Sequence, residues 1–227
     1  MVSIIIPVFN EESTLNDLIP YLQNAIKDKN AELLLIDGGS SDNTVQICKE
    51  LGATIYTSPL KGRASQMNYG AEKCSGDILY FLHADSLPPL NFIGDILESI
   101  NEEYIAGCYR LAFKPELPLL KLYAWFTKFD NDLFRFGDQS LFVTRKAFEK
   151  IGGFDQKLKV MEDQQIVVDL KKEGKFKIVN NSIITSSRKY MKVGVLKLQL
   201  VFTIIVIFYY LGVSQKVMSD FYAKQVQ

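Results

Sequence analysis

Short, unbroken runs of apolar residues recur along the chain and predict buried β-strands. The clearest runs cover residues 3–8, 32–36 and 78–82. Each is continuous rather than alternating, which is typical of strands covered on both faces of a sheet. Further strands are predicted at residues 54–57, 106–113 and 140–144.

Helical periodicity separates the first of these strands. Residues 14–27 carry one apolar stripe, formed by Leu15, Leu18, Ile19, Leu22 and Ile26. A second helix is expected to begin near Asp42 and to stop at Gly52, and a third covers residues 66–74. Strands that alternate with helices predict an α/β domain, a parallel sheet with helices on both faces. Ligands of such sheets bind beyond the carboxyl ends of the strands.

Two apolar segments follow in the second half of the chain. Residues 117–136 are rich in aromatic side chains and are predicted to be helical, either in the core or as an amphipathic helix beside an apolar acceptor. Residues 200–213 carry almost no polar side chains, but this run is shorter than the roughly 20 residues that span a bilayer. We therefore expect a buried or oligomer-forming helix there, ahead of a membrane-surface element or a span.

Composition narrows the functional classes. The 26 basic and 26 acidic residues balance, so nothing in the net charge attracts nucleic acid, and no nucleic-acid partner is expected. The three cysteines, Cys48, Cys74 and Cys108, lack paired spacing and predict reduced thiols. No basic residues precede the first apolar run, so no signal peptide is expected. These features predict a cytoplasmic protein, with the inner face of the membrane as an alternative location.

Polar turns follow the first two predicted strands. Residues 7–12 read Pro-Val-Phe-Asn-Glu-Glu, and residues 37–42 read Asp-Gly-Gly-Ser-Ser-Asp. Neither turn contains G-x-G-x-x-G or a P-loop, which disfavours a dinucleotide-binding Rossmann domain and a P-loop NTPase. Asp42 is expected to hold the start of the next helix. Asp37 is expected to present free acceptor oxygens to the N–H groups of a base.

The third strand ends in His83-Ala84-Asp85. A carboxylate at a strand end, with a polar group two residues before it, suits a Mg²⁺ or Mn²⁺ ion bound to phosphates. His83 is the only histidine of the chain. A lone histidine is usually structural, and its spacing to Asp85 leaves the structural and the functional interpretation equally open.

Taken in order, these turns resemble the family-2 glycosyltransferases, which have the GT-A fold. The matching stretches are residues 3–11, 37–42, 62–71, 83–85, 137–139, 152–154 and 162–163. The resemblance implies a mixed, mostly parallel central sheet flanked by helices over residues 1–190, followed by an apolar helical extension over residues 191–227. It also implies a sugar transfer with inversion from a nucleotide-diphosphate sugar, a UDP-sugar before others, with Mn²⁺ or Mg²⁺ as cofactor. The acceptor hydroxyl is expected on a lipid-linked or apolar molecule, and the C-terminal segment is expected to contact a membrane peripherally or to form a homo-oligomer.

The resemblance implies donor contacts at several positions. They are Pro7, Asn10 and Glu11 beside the nucleoside, Asp37 on the base, and Arg63 and Asn68 against the donor. Further substrate contacts are predicted at His83, Asp138, Gln139, Glu162 and Arg188. Arg63 or Arg188 is expected to donate hydrogen bonds to phosphate, for which a guanidinium is well suited.

Two acids carry the predicted chemistry. Asp85 matches the second acid of a D-x-D motif and is predicted to bind the metal ion. Asp163 is predicted to be the general base, and its neighbour Glu162 is expected to face elsewhere, because consecutive helix residues do not share a face. The first acid of D-x-D is His83 here, which lacks the negative charge and changes the expected ribose contact or metal preference.

Two other classes stay open. A sugar nucleotidyltransferase would ordinarily carry a glycine-rich basic loop near its N-terminus, whereas residues 7–12 are acidic. A non-catalytic nucleotide-sugar or lipid-binding module would not need both Asp85 and Asp163. The chain lacks Q-x-x-R-W, which favours a single addition over polymerisation. Because all donor motifs precede residue 192, the segment beyond it is expected to serve solubility or assembly rather than donor binding.

Overall fold

A central β-sheet runs through the computed structural model, which describes residues 1–226. Within that range the sheet has eight strands. They are β1 (Val2–Val8), β2 (Ala31–Asp37), β3 (Thr54–Thr57), β4 (Ile78–Phe81), β5 (Ser86–Leu87), β6 (Ala106–Lys114), β7 (Leu141–Thr144) and β8 (Phe176–Ser186). Their spatial order is β3-β2-β1-β4-β7-β6-β8-β5.

The sheet is mixed, as the resemblance implies. β1 pairs in parallel with both β2 and β4, and β2 pairs in parallel with β3. β7 is antiparallel to β4 and to β6, whereas β6 and β8 are parallel. The first half of the chain therefore builds a parallel sheet, and the second half extends it.

Helices cover both faces of this sheet. They are α1 (Glu12–Ala25), α2 (Thr44–Glu50), α3 (Arg63–Lys73), α4 (Phe92–Asn101), α5 (Pro118–Phe126), α6 (Arg145–Lys150), α7 (Glu162–Glu173), α8 (Arg188–Val193), α9 (Val195–Tyr210) and α10 (Gln215–Val226). Two 3₁₀ turns lie at Asp132–Phe134 and Gly137–Gln139. The α/β class predicted from the alternation is confirmed.

Strand β1 explains why its sequence is apolar without a break. Ile4, Ile6 and Val8 pack into the core under α1, while Ile5 packs into the opposite core under α3. Helix α3 approaches the sheet closely at Gly70, where a Cβ atom would stand 2.4 Å from Ile5. Any side chain at this position would have to push the helix away from the strand.

The prediction of one helix over residues 117–136 is wrong beyond Phe126, where α5 ends. The cause is Arg135, whose fully buried side chain donates hydrogen bonds to the carbonyl oxygens of Thr127, Phe129 and Asn131. A continued helix would use those carbonyl groups internally. A buried guanidinium needs such acceptors, so the chain folds around it as an irregular loop.

The prediction of a buried helix over residues 200–213 holds for one face only. Helix α9 buries Leu198, Val201 and Ile205. Its opposite face leaves Leu196, Leu200, Ile207 and Tyr210 exposed. Among residues 1–226, every helix is too short or too polar to traverse a bilayer. The predicted extension also includes residue 227, which lies outside the described residues.

Helices α9 and α10 form a C-terminal helix pair that is fixed to the sheet domain by side chains. The Gln215 side-chain oxygen accepts hydrogen bonds from the backbone N–H groups of Lys159 and Val160, at 2.9 and 3.2 Å. Tyr209 donates to the Gln165 side chain on α7. The pair therefore lies against the segment that leads into α7. The division at residue 190 stays a prediction.

Candidate active site

The carboxyl ends of three parallel strands meet at one edge of the sheet. Val8 of β1 stands beside Asp37 of β2, and β4 ends at Phe81, which pairs with Ile5 on the other side of β1. Leu141, the first residue of antiparallel β7, pairs with Phe81, so the turn before β7 comes to the same edge. The polar residues that follow these strand ends are therefore gathered by the topology.

Hydrogen bonds join the loop after β1 to the loop after β2. Asn10, with a positive φ of 55°, accepts from the backbone N–H of Ser41 at 2.8 Å. The N–H of Glu11 donates to Thr44 Oγ1 at 2.8 Å. Asn10 is exposed, whereas Pro7 is a half-buried residue within β1. Two of the three predicted nucleoside contacts thus lie in a fixed double loop, and Pro7 lies at its base.

Asp37 differs from its prediction. Its side chain is 2% exposed, and its oxygens accept the N–H groups of Gly39 and Ser40 at 3.0 Å. The expectation of free acceptor oxygens is therefore wrong, because the tight glycine turn supplies its own donors. Asp42 behaves as expected, since it accepts from the N–H of Thr44, the first residue of α2, at 3.0 Å.

Three further polar side chains in the matching stretches form hydrogen bonds with main-chain groups of the fold. Asn68 exchanges two hydrogen bonds with Phe154, at 2.8 and 2.9 Å, and so ties α3 to the loop after α6. Gln139, predicted to contact substrate, is 1% exposed and donates to the carbonyl of Tyr109, so its side chain is taken up by the fold. Sequence reasoning overlooked Gln66, whose side chain donates to the carbonyl oxygens of Val8, the last residue of β1, and Ile36, the last but one of β2. It lies in the same matching stretch as Asn68, which was the only available signal.

His83, Asp85 and Asp138 form the cluster that could hold a cation. One ligand atom from each lies within 4.8 Å of the others. His83 Nδ1 stands 3.1 Å from Asp138 Oδ1, and its Nε2 stands 4.0 Å from Asp163 Oδ2. Burial and Arg63 act to lower the pKa of His83, but the hydrogen bond that Asp138 accepts from the ring and the charge of Asp163 leave it raised. The site therefore favours positive charge. Its carboxylate oxygens fit Mn²⁺ or Mg²⁺, whereas imidazole is a more usual ligand of other transition metals.

The acids at the start of α7 share one partner. Arg63 Nη1 stands 3.4 Å from Glu162 and 3.5 Å from Asp163. The expectation that Glu162 faces elsewhere is therefore wrong, because both residues belong to the first helical turn and one guanidinium reaches both. Burial, followed by the charge of Asp163, raises the pKa of Glu162 to about 7.

Gly137 allows the turn before β7 to touch these groups. A Cβ atom at this position would stand 2.1 Å from Asp163 Oδ2 and 2.5 Å from the His83 ring. The absence of a side chain thus lets Asp138 and Asp163 lie on two sides of His83.

Arg188 lies on the other side of the loop after β1. It donates to Ser13 Oγ at 3.0 Å and stands 3.9 Å from Glu11. Burial and the charge of Asp85 raise the pKa of Glu11. Glu11, Asp85 and Arg188 are therefore close in space, although 177 positions separate the first from the last.

A cavity of about 440 Å³ opens beside the acids at the start of α7. The C-terminal helix pair and Lys189 line this cavity together with the charged residues Arg63, His83, Asp138, Glu162 and Asp163. Sequence reasoning placed that pair apart from the donor motifs. The structure brings it to the cavity, which no local pattern could have indicated.

Comparison with protein families agrees with this architecture. The model of Glycosyl transferase family 2 matches residues 3–153, more than half of the chain. A dolichol-phosphate mannosyltransferase of Pyrococcus furiosus is 32% identical over 104 residues, which are 44% of this chain and 30% of that protein. The chain thus matches about a third of the length of this curated relative.

Solved structures share the fold at low identity. The S. aureus TarS 1–349 structure in complex with UDP-GlcNAc superposes with a TM-score of 0.67 at 16% identity, covering 82% of this chain and 58% of that one. Glucosyl-3-phosphoglycerate synthase from Mycobacterium tuberculosis, in complex with Mn²⁺, UDP and glucosyl-3-phosphoglycerate, gives a TM-score of 0.64 at 16% identity, covering 94% and 80%. At this identity the likeness establishes the GT-A fold alone.

Proposed function

The chain belongs to glycosyl transferase family 2, and on that premise we propose that it transfers a sugar from a nucleotide-diphosphate sugar to an acceptor hydroxyl, with inversion at the anomeric carbon. The observation that carries this proposal is the meeting of Asp163, His83 and Asp138 at one cavity. A carboxylate base beside a candidate cation site is what a displacement at a sugar diphosphate requires.

The donor is proposed to lie across the loops after β1, β2 and β4, with a UDP-sugar as the first choice. The named ligands of the two structural neighbours, UDP-GlcNAc and UDP, support that choice. Asn10 and Glu11 would face the nucleoside, Asp37 would shape the turn beneath it through its bonds to Gly39 and Ser40, and Arg188 would lie near the diphosphate. Arginine suits this position because its guanidinium binds phosphate oxygens in a fixed geometry.

Asp85 is proposed as a metal ligand, with His83 and Asp138 as its partners in the cluster. A divalent cation held there would neutralise the charge that gathers on the leaving diphosphate, without a proton transfer to it. His83 replaces a carboxylate in this set, so the cluster contributes one negative charge fewer than a D-x-D pair with Asp138 would.

Asp163 is proposed to remove the proton of the acceptor hydroxyl. Arg63 holds the carboxylate at 3.5 Å, and Gly137 leaves the space that its oxygen occupies. The acceptor oxygen then attacks the anomeric carbon from the side opposite to the departing diphosphate, and a single displacement of this kind inverts the configuration. Glu162 shares Arg63 and would keep the guanidinium in place.

The acceptor is proposed to be lipid-linked or otherwise apolar, in keeping with the name of the Pyrococcus furiosus relative. The exposed apolar face of α9 is compatible with peripheral membrane contact or with a homo-oligomer. We place the protein in the cytoplasm, at or near the inner face of the membrane. The glycosyltransferase domain is proposed to end near residue 190.

The proposal is tested by binding of UDP, GDP and dTDP with and without Mn²⁺. A ligand at a hundredfold excess over its Kd stabilises the folded state by about 2.7 kcal/mol, which corresponds to a rise in Tm of roughly 5–10 °C for a chain of this size. We expect such a rise for at least one nucleotide in the presence of Mn²⁺. Asp85→Asn should abolish the Mn²⁺ dependence.

Asp77→Asn is the matched control, because Asp77 precedes β4 at the opposite edge of the sheet and its side chain is 90% exposed. It should bind as the unaltered chain does. Absence of any Mn²⁺-dependent stabilisation by all three nucleotides would contradict the proposed donor site. Equal Mn²⁺ dependence in Asp85→Asn would contradict the metal assignment alone.

A further inference from the structure

Aromatic side chains continue along the cavity that contains Asp163. Phe113 of β6 packs edge-on against Tyr190 of α8, with ring centroids 5.4 Å apart. Tyr190 packs against Phe202 of α9 at 6.3 Å, and Phe202 stacks on Tyr222 of α10 at 6.1 Å. All four rings line the cavity. They form a continuous apolar surface from the sheet to the last helix.

The C-terminal helix pair supplies much of this surface. Helix α9 contributes Phe202, Ile205 and Val206, and α10 contributes Tyr222. The Tyr222 hydroxyl accepts a hydrogen bond from Lys189 at 3.1 Å, so its polar end has a partner. Without α9 and α10, the rings of Phe113 and Tyr190 would face water, which is unfavourable for apolar surface. The pair therefore completes the cavity.

This surface suits a ligand other than the donor. A nucleotide-diphosphate sugar is covered with hydroxyl and phosphate groups, and burying them against hydrocarbon without hydrogen bonds is unfavourable. The cavity volume of about 440 Å³ is typical of small-molecule sites. Its lining combines charged side chains, Asp163 among them, with the aromatic surface, which matches a molecule with one reactive polar end and one apolar end.

We propose that the C-terminal helix pair forms an acceptor subsite, in which the apolar part of an amphipathic, hydroxyl-bearing acceptor packs against Phe202, Val206 and Tyr222 while its hydroxyl faces Asp163. The inference rests on the proposed function and adds to it the place where the acceptor binds. It assigns a binding role to residues 195–226, beyond the solubility or assembly expected from the sequence. Specificity for the apolar part then depends on α9 and α10 rather than on the sheet.

The test compares two glucosides that share a polar end. Calorimetry of the full chain, in the presence of UDP and Mn²⁺, measures binding of octyl β-D-glucoside below its micelle concentration and of methyl β-D-glucoside. We expect the octyl compound to bind at least tenfold more tightly. Val206→Trp fills the cavity and should remove that preference. Ile207→Trp places the same side chain on the neighbouring position, which is 50% exposed and outside the cavity lining, and should retain it.

UDP binding with Mn²⁺ is measured on each variant and keeps the two proposals separate. We expect the affinity for UDP to be unchanged in both variants. If Val206→Trp fails to fold, the milder change Phe202→Leu takes its place, and it should weaken the binding of octyl glucoside several-fold. Equal binding of the two glucosides, or an unchanged preference in both Val206→Trp and Phe202→Leu, would overturn the subsite. An equal loss in Ile207→Trp would assign the binding to the exposed face of α9 instead. If the unaltered chain does not bind UDP, the donor proposal is refuted, and the comparison of the two glucosides still tests the subsite.

Discussion

At the scale of single residues, burial and the charge of Asp163 act in the same direction on the pKa of Glu162, and the charge of Arg63 opposes them. Its side chain is only 6% exposed, and burial with the charge of the adjacent Asp163 raises its pKa to about 7 from the ordinary value of 4.5. The folded protein therefore retains a proton between pH 4.5 and 7 that the unfolded chain releases. By linkage, this residue makes stability fall as the pH rises through that window.

Glu162→Gln should remove this loss, because the amide keeps the shape of the side chain without its charge. We expect the free energy of unfolding of the variant, relative to the unaltered chain, to increase between pH 4.5 and pH 8 by roughly 2–3 kcal/mol. Chemical denaturation at several pH values measures it. Glu149→Gln, at a side chain that is 64% exposed, serves as the control. Parallel pH profiles for the unaltered chain and Glu162→Gln would contradict the assigned burial cost.

Sequence reasoning located the residues of the site better than their contacts. Asp85 and Asp37 follow apolar strands, so their place at the sheet edge could be derived from the pattern alone. The hydrogen bonds that occupy Asp37 depend on the turn geometry of Gly39 and Ser40. The sharing of Arg63 by Glu162 and Asp163 joins residues about 100 positions apart, which no local pattern reports.

At the scale of elements, the 3₁₀ turn Gly137–Gln139 brings the chain before β7 into contact with the first turn of α7. Gln139 anchors the turn to β6 through Tyr109, and Gly137 brings it against Asp163. The hydrogen bond to β6 therefore keeps the turn in place against α7.

Gly137→Ala should displace either the turn or Asp163, because the added methyl group would overlap the carboxylate. Overpacking of this kind costs about 1–3 kcal/mol of stability. The cost should shrink in an Asp163→Ala background, where the carboxylate is absent, and a double-mutant cycle should give a coupling of about 1 kcal/mol. Additive losses measured by denaturation would show that the two residues do not compete for the same space.

Elements with a regular pattern were predictable, and irregular ones were not. Helices α1 and α3 follow from periodicity, and β3 coincides with its predicted run at residues 54–57. β8 was not predicted, because Asn180, Asn181 and Ser182 interrupt it where its pairing with β6 shifts register. The end of α5 depends on the distant, buried Arg135, so periodicity could not locate it.

At the scale of the whole molecule, the fold returns the end of the chain to its beginning. Arg188 bonds to Ser13, and Tyr222 binds Lys189 beside the cavity. The sequence placed all donor motifs before residue 192 and therefore gave the C-terminal helix pair no part in the site. Its position follows from tertiary contacts such as those of Gln215 with Lys159 and Val160, which hydrophobic patterns do not encode.

Asp163 is the proposed base of this glycosyltransferase, and one comparison tests that assignment most directly. The release of UDP from a UDP-sugar in the presence of Mn²⁺ is measured for the unaltered chain and for Asp163→Asn, with octyl β-D-glucoside or water as the acceptor. The affinity of both proteins for UDP is measured by calorimetry. Asparagine keeps the shape but cannot take the proton, and general-base catalysis is typically worth about 10²- to 10⁴-fold. We expect release to fall at least about 100-fold while UDP affinity changes little. Release that stays within a few-fold of the unaltered chain, at equal affinity, would contradict the assignment of Asp163.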